Sequence, residues 1–148
     1  MKNILSKILM SLVGVSLLAG AASSAVAAEK MHKLVIQVST NDAKTQTIAL
    51  NNAVNIQKLY GMDNIKIEIV AYGPGLSLLT KNPKNKQAPR VKSLAMQNIT
   101  FSACGNTMAA IEKKTGHKPK LVEGVGVVKG GVARIIALQE DGYSYIRP

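Results

Sequence analysis

The chain has 148 residues, 19 Lys and Arg against 8 Asp and Glu, and a formal net charge of +11 at pH 7. Apolar residues make up 47%, too many for a disordered chain, and the length suits one domain with a real core but not two. A single Cys excludes an intramolecular disulfide framework.

Lys2 and Lys7 flank the start of an apolar run, Ile8-Leu9-Met10-Ser11-Leu12-Val13-Gly14-Val15-Ser16-Leu17-Leu18, and small residues follow as far as Ala25-Val26-Ala27. A basic start, a short apolar stretch and an A-x-A end are the three parts of an export signal. A membrane anchor needs about 20 consecutive apolar residues, and Gly20, Ser23 and Ser24 dilute this run well before that. Leu18-Ala19-Gly20 is followed by Ala21, not by a Cys that would carry lipid. Residues 1–27 are therefore expected to be cleaved, leaving a periplasmic domain over residues 28–148 with no stable membrane anchor. The loss of Lys2 and Lys7 leaves that domain strongly basic, which composition alone explains best as a solvated basic face and which otherwise favours acidic partners. Nucleic acid is not among them. Its binding calls for a basic stripe interleaved with stacking aromatics, and this chain has no Trp and one Phe.

From His32 onward, strand and helix signals alternate. Leu34-Val35-Ile36-Gln37-Val38 is a short β-branched run, hence a strand. Asp42 is placed to cap a helix in which Ala49, Ala53, Ile56 and Tyr60 share a face, with Gly61 as its stop. Residues 65–70 form a second strand ending in the turn Gly73-Pro74-Gly75. Residues 80–89 form a loop carrying Lys81, Lys84 and Lys86, and residues 90–97 a short helix with Val91, Leu94 and Ala95 on one side. A third strand spans residues 99–102, and a helix over 105–115 points Met108 and Ile111 inward and stops at Gly116. Residues 121–128 make a fourth strand. Residues 131–139 make a last helix with Val132, Ile135 and Ile136 inward, and residues 143–146 a fifth strand. This alternation predicts an α/β domain, a five-stranded, mainly parallel sheet with helices on both faces. A flavodoxin-like order would set the first and third strands side by side at the switch point.

Most motifs have structural explanations. Gly124-Val125-Gly126 begins a dinucleotide fingerprint, but Lys129 stands where its third Gly is required, so close helix–sheet packing explains the glycines better. His32, His117 and Cys104 have no ligand spacing to one another, so neither a metal nor a cofactor is expected. No G-x-S-x-G elbow supports a Ser-His-Asp triad.

Cys104 is the informative residue. It follows the third strand and precedes the helix opened by Gly105-Asn106-Thr107. In doubly wound sheets ligands bind at the carboxyl ends of strands, and free amides at a helix start favour a thiolate. The amides of Thr107 and Met108 are expected to point at the sulfur, and Gly105 to leave room for a donor. Lys81, Lys84, Lys86 and Arg90 are candidates for a nearby positive charge. Ser39, Thr40 and Asn41 would line the opposite wall of a crevice, facing Cys104, Gly105, Asn106 and Thr107. The structural alternative is a free Cys buried as a small hydrophobe.

The segment Phe101-Ser102-Ala103-Cys104-Gly105-Asn106-Thr107 with Arg90-Val91-Lys92-Ser93-Leu94-Ala95 before it resembles the DsrE/DsrF-like family of sulfur-relay proteins. So does the ending, Gly131-Val132-Ala133-Arg134-Ile135-Ile136-Ala137-Leu138-Gln139 through Gly142-Tyr143-Ser144-Tyr145-Ile146-Arg147-Pro148. The resemblance implies a five-stranded α/β sandwich that assembles as trimers or hexamers. It also implies a persulfide carried on Cys104, with sulfur exchanged with donor and acceptor proteins or small thiols. The family's relays are cytoplasmic, whereas the leader here directs export, away from their donors and acceptors. Two functions of different class follow. One is a sulfur carrier or related sulfurtransferase acting through Cys104. The other is a non-catalytic oligomeric binding module for a small anion or a protein partner, with Cys104 structural.

Overall fold

The β-branched run around Val35 becomes the centre of strand β1, His32–Val38, in a computed structural model that describes residues 31–148. The export segment, residues 1–27, lies outside the described residues. Asp42 ends the following turn by accepting from the amides of Lys44 and Thr45, which starts helix α1, Ala43–Tyr60. Strand β2, Ile65–Ala71, passes into a 3-10 turn, Gly73–Leu79, and then helix α2, Ala88–Ala95. Strand β3, Ile99–Cys104, runs without a loop into helix α3, Gly105–Thr115. Strand β4, Val125–Val128, helix α4, Gly131–Glu140, and strand β5, Ser144–Ile146, complete the domain.

All four pairings are parallel, and the order is β4-β3-β2-β1-β5. The flavodoxin-like arrangement with β1 beside β3 is therefore corrected, because β2 lies between them. The physical cause is the direction of winding. The first three crossovers each advance one strand the same way, and right-handed crossovers in one direction pack on one face. Leu50 of α1, Leu76, Leu78 and Leu79 of the 3-10 turn, Val91 of α2 and Met108 of α3 accordingly share one core with Ile36, Ile69 and Phe101. Only α4 crosses back, over the other face, where Ile135 and Leu138 pack on Val35 and Val70.

That reversal moves the switch point. The connection leaving β3 leads to the first face and that leaving β4 to the second, so the carboxyl ends of β3 and β4 diverge. Cys104 is the last residue of β3 and sits at this divergence.

Several boundaries differ from the sequence expectation. Leu121 belongs to an isolated antiparallel bridge with Thr80 and not to β4. On α4, Ile135 faces inward as expected, but Val132 and Ile136 are 54% and 51% exposed, and Leu138 takes the inner position. One helix over a whole sheet face leaves room for only a narrow inward stripe. Gly124 fits the packing explanation, since a Cβ there would lie 2.7 Å from that of Ala95, at a φ of +85°. Gly126 does not, its Cβ meeting nothing nearer than the Phe101 oxygen at 3.7 Å.

Candidate functional site

The strand-to-helix junction at Cys104 makes this residue both the end of β3 and the N-cap of α3. Its side chain lies on the α4 side of the sheet, is 5% exposed, and accepts a hydrogen bond from the Gly131 N–H at 3.2 Å. Gly131 opens α4, so the sulfur faces the amino-terminal ends of two helices at once. The close approach depends on a missing side chain. A Cβ at Gly131 would lie 3.0 Å from Tyr72 Cβ and 3.3 Å from Cys104 Cβ.

Thr107 supplies the second wall. Its hydroxyl oxygen accepts the Gly73 N–H at 2.9 Å, which leaves its own O–H to donate, and it is turned to the Cys104 sulfur. Burial pushes the Cys104 thiol up, but the Thr107 hydroxyl and amide, the Gly131 amide and the Asn106 amide together outweigh it. The net result holds the thiol below its ordinary range.

A depressed native pKa has a consequence for stability. The stabilisation from ionised Cys104 is fully present above the unfolded thiol's value, about 8.5. It is lost as pH falls through the lowered native value. Cys104→Ser should therefore cost more stability at pH 9 than at pH 6, measurable by urea unfolding of both proteins at both pH values.

The structure brings together only part of the sequence-predicted set. Gly105, Asn106 and Thr107 adjoin Cys104, and the contributing amides are those of Thr107 and Asn106, not Met108. The space beside Gly105 is taken by backbone, with a Cβ there falling 3.0 Å from the Val128 oxygen and 3.3 Å from that of Lys129. Gly105 thus admits the β4–α4 turn, and the open approach for a donor expected there is corrected. Ser39, Thr40 and Asn41 also follow a strand's carboxyl end, but that of β1, with β2 and Tyr72-Gly73 intervening. Thr40 accepts the Asp42 N–H at 3.1 Å, Gln37 donates to Ser39 at 3.4 Å, and Asn41 lines a groove of about 550 Å³ with Lys84 and Lys86. Lys81 lines another groove, of about 410 Å³, with Lys118 and Lys120, and Arg90 donates to Asn51 at 2.8 Å. None of these four cations is among the causes of the Cys104 shift, which come from hydrogen-bond donors.

The residues that sequence reasoning missed are Gly131, Gly73 and Tyr72, together with a polar cluster beneath α4. Gly130-Gly131, a glycine pair opening a helix, was the available signal. His117 is exposed with Nδ1 2.8 Å from the Thr115 oxygen, and His32 stacks on Tyr60 at 3.8 Å. Among the described residues, no group of three or more His, Cys, Asp and Glu could hold a metal ion.

Fold and site together define a parallel α/β domain that offers one thiol, among backbone N–H donors, at the carboxyl edge of its sheet. The chain belongs to the DsrE/DsrF-like family, whose family model matches residues 32–148. A solved structure of a protein of unknown function, MTH1491 from Methanobacterium thermoautotrophicum, is similar at 30% identity and a TM-score of 0.70, covering 79% of this chain and 99% of that one. The ychN protein from E. coli shares the fold, at 14% identity and a TM-score of 0.63, covering 80% of this chain and 100% of its own. No curated protein gives a significant match. Family membership points to a sulfur-relay-related role.

Proposed function

We propose that this chain is a periplasmic sulfur carrier that receives sulfane sulfur on Cys104 and hands it on. The observation that carries this is the placement of the Cys104 sulfur against Gly131 N–H and Thr107, where a thiolate is favoured at the edge of the sheet. In loading, the thiolate attacks the outer sulfur of a donor persulfide. A new S–S bond forms at Cys104, the donor's S–S bond breaks, and the electron pair leaves on the donor's thiolate. In unloading, an acceptor thiolate attacks the outer sulfur and Cys104 departs as thiolate. The donors that favour the thiolate therefore assist both steps, and no oxidant or reductant is consumed.

No second Cys exists to displace the sulfur within the chain, so the acceptor is another protein or a small thiol. Neither metal nor cofactor enters the scheme. Export is part of the proposal and rests on the leader-like residues 1–27. Assembly into a trimer or a pair of trimers is another part, supported by the exposed Val132 and Ile136 on the outer side of α4.

Intact mass of protein isolated from the periplasm of its own cells tests the reading. The expected result is a species heavier by about 32 Da per sulfur that a reductant removes. Protein of unmodified mass in every preparation, with a Cys104 that alkylates no faster than an unfolded thiol, would leave the binding-module function instead.

A further inference from the structure

Beneath α4 lies a carboxylate that the sulfur chemistry does not touch. Glu68, in the middle of β2, is 3% exposed, unusual for a charged residue in a strand. Arg134 of α4 meets it with a fork, Nε to Oε1 at 2.8 Å and Nη2 to Oε2 at 2.7 Å, and Ser102 of β3 donates to Oε1 at 2.6 Å. One carboxylate thus ties α4 to two central strands. Other ionisable groups near this pair are Tyr143, Asp141 and Lys33. Tyr143 is pushed up by burial and by Glu68, Asp141 acts weakly on Arg134, and Lys33 is bonded to Asp141 at 3.1 Å.

The apolar attachment of α4 is small, with Ile135 and Leu138 buried on Val35 and Val70 and the partly buried Tyr72 and Tyr143 packed against them. Arg134 is three residues from Gly131, so the fork acts on the same turn that donates to Cys104. A bidentate Arg–carboxylate pair fixes direction as well as distance. Ser102 lies two residues before Cys104 on the same strand face, so the clamp and the thiol also share β3.

We propose that Glu68 and Arg134 are positioning residues that hold the first turn of α4 in register over Cys104, keeping the Gly131 N–H on the sulfur. The proposal deepens the sulfur-carrier reading and relies on it for biological purpose, but its test uses no sulfur donor.

The test is the pH dependence of Cys104 alkylation by iodoacetamide in the full chain, for wild type, Glu68→Gln and Arg134→Lys. Charge and position predict opposite signs. Removing the Glu68 charge leaves Arg134 unpaired, which by Coulomb attraction alone would move the alkylation midpoint down. Arg134→Lys keeps the charge and loses the fork, so charge alone would leave the midpoint in place. Loss of position moves both midpoints up, by less than removal of the stronger Thr107 hydroxyl would, so the alkylation rate at pH 7 falls by roughly two- to fivefold. The rate at the alkaline plateau should stay near that of wild type, showing that access to the thiol is unchanged. A midpoint that falls in Glu68→Gln, or that stays fixed in both variants, would overturn the proposal. Arg134→Lys keeps the test decisive should Glu68→Gln fold poorly. Absence of sulfur uptake in wild type bears on the carrier function and leaves this result standing.

Discussion

Gly75→Ala is expected to lower the melting temperature by roughly 10–20 °C, the effect of about 3–5 kcal/mol in a domain of this size. A Cβ at Gly75 would fall 2.2 Å from the Val38 oxygen and 2.5 Å from its carbon. Neither atom has freedom to retreat. Val38 pairs with Ala71 in the register of β1 and β2, and its oxygen accepts the Tyr72 N–H at 3.1 Å. The 3-10 turn would have to lift off instead, carrying Leu76, Leu78 and Leu79, all fully or almost fully buried, out of the core. Gly126→Ala is the control. A Cβ there meets nothing nearer than the Phe101 oxygen at 3.7 Å, an ordinary contact, so thermal unfolding should be nearly unchanged.

Thr107→Val is expected to raise the alkylation midpoint of Cys104 by roughly one pKa unit, from the loss of a hydrogen bond to a charged group of about 1.5 kcal/mol. The Thr107 hydroxyl is the strongest of the influences that lower this thiol. The reaction rate at neutral pH then falls about tenfold, because only the thiolate reacts. Valine keeps the shape but also strands the Gly73 N–H that the hydroxyl accepts. Thr107→Ser retains the hydroxyl and should restore most of the wild-type profile. A midpoint that moves equally in the valine and serine variants would show that the hydroxyl is not what lowers this thiol.

The local elements were largely legible in the sequence, and their order in the sheet was not. Asp42, Gly61 and Gly116 marked helix ends by capping chemistry that acts within a few residues. Strand order depends instead on which way each crossover winds, and no short-range signal states that. A clue was nonetheless present. Ile65-Lys66-Ile67-Glu68-Ile69 and Ile99-Thr100-Phe101-Ser102 alternate apolar with polar, the pattern of a sheet with one well-covered face. The polar members lie on the face that α4 alone covers, and two of them, Glu68 and Ser102, are buried there by Arg134.

The same reasoning explains the site. Cys104 was legible because a strand, a Cys and a helix start are consecutive in sequence. Its partner Gly131 is 27 residues away and becomes a neighbour only because β4 lies beside β3 and α4 departs to the other face. Ser39, Thr40 and Asn41 follow β1, which would adjoin Cys104 only if β1 lay beside β3, and β2 lies between the two strands. The switch point falls between β3 and β4, with β4 in the place expected of β1.

The sulfur-carrier function is tested most directly by incubating the purified protein with inorganic polysulfide, removing the excess, and measuring intact mass with and without a reductant. Wild type should gain sulfur in steps of about 32 Da that the reductant reverses, and then lose it to an added small thiol, while Cys104→Ser gains none. A wild-type protein that takes up no sulfur, or a Cys104→Ser variant that takes up as much as wild type, would contradict the account.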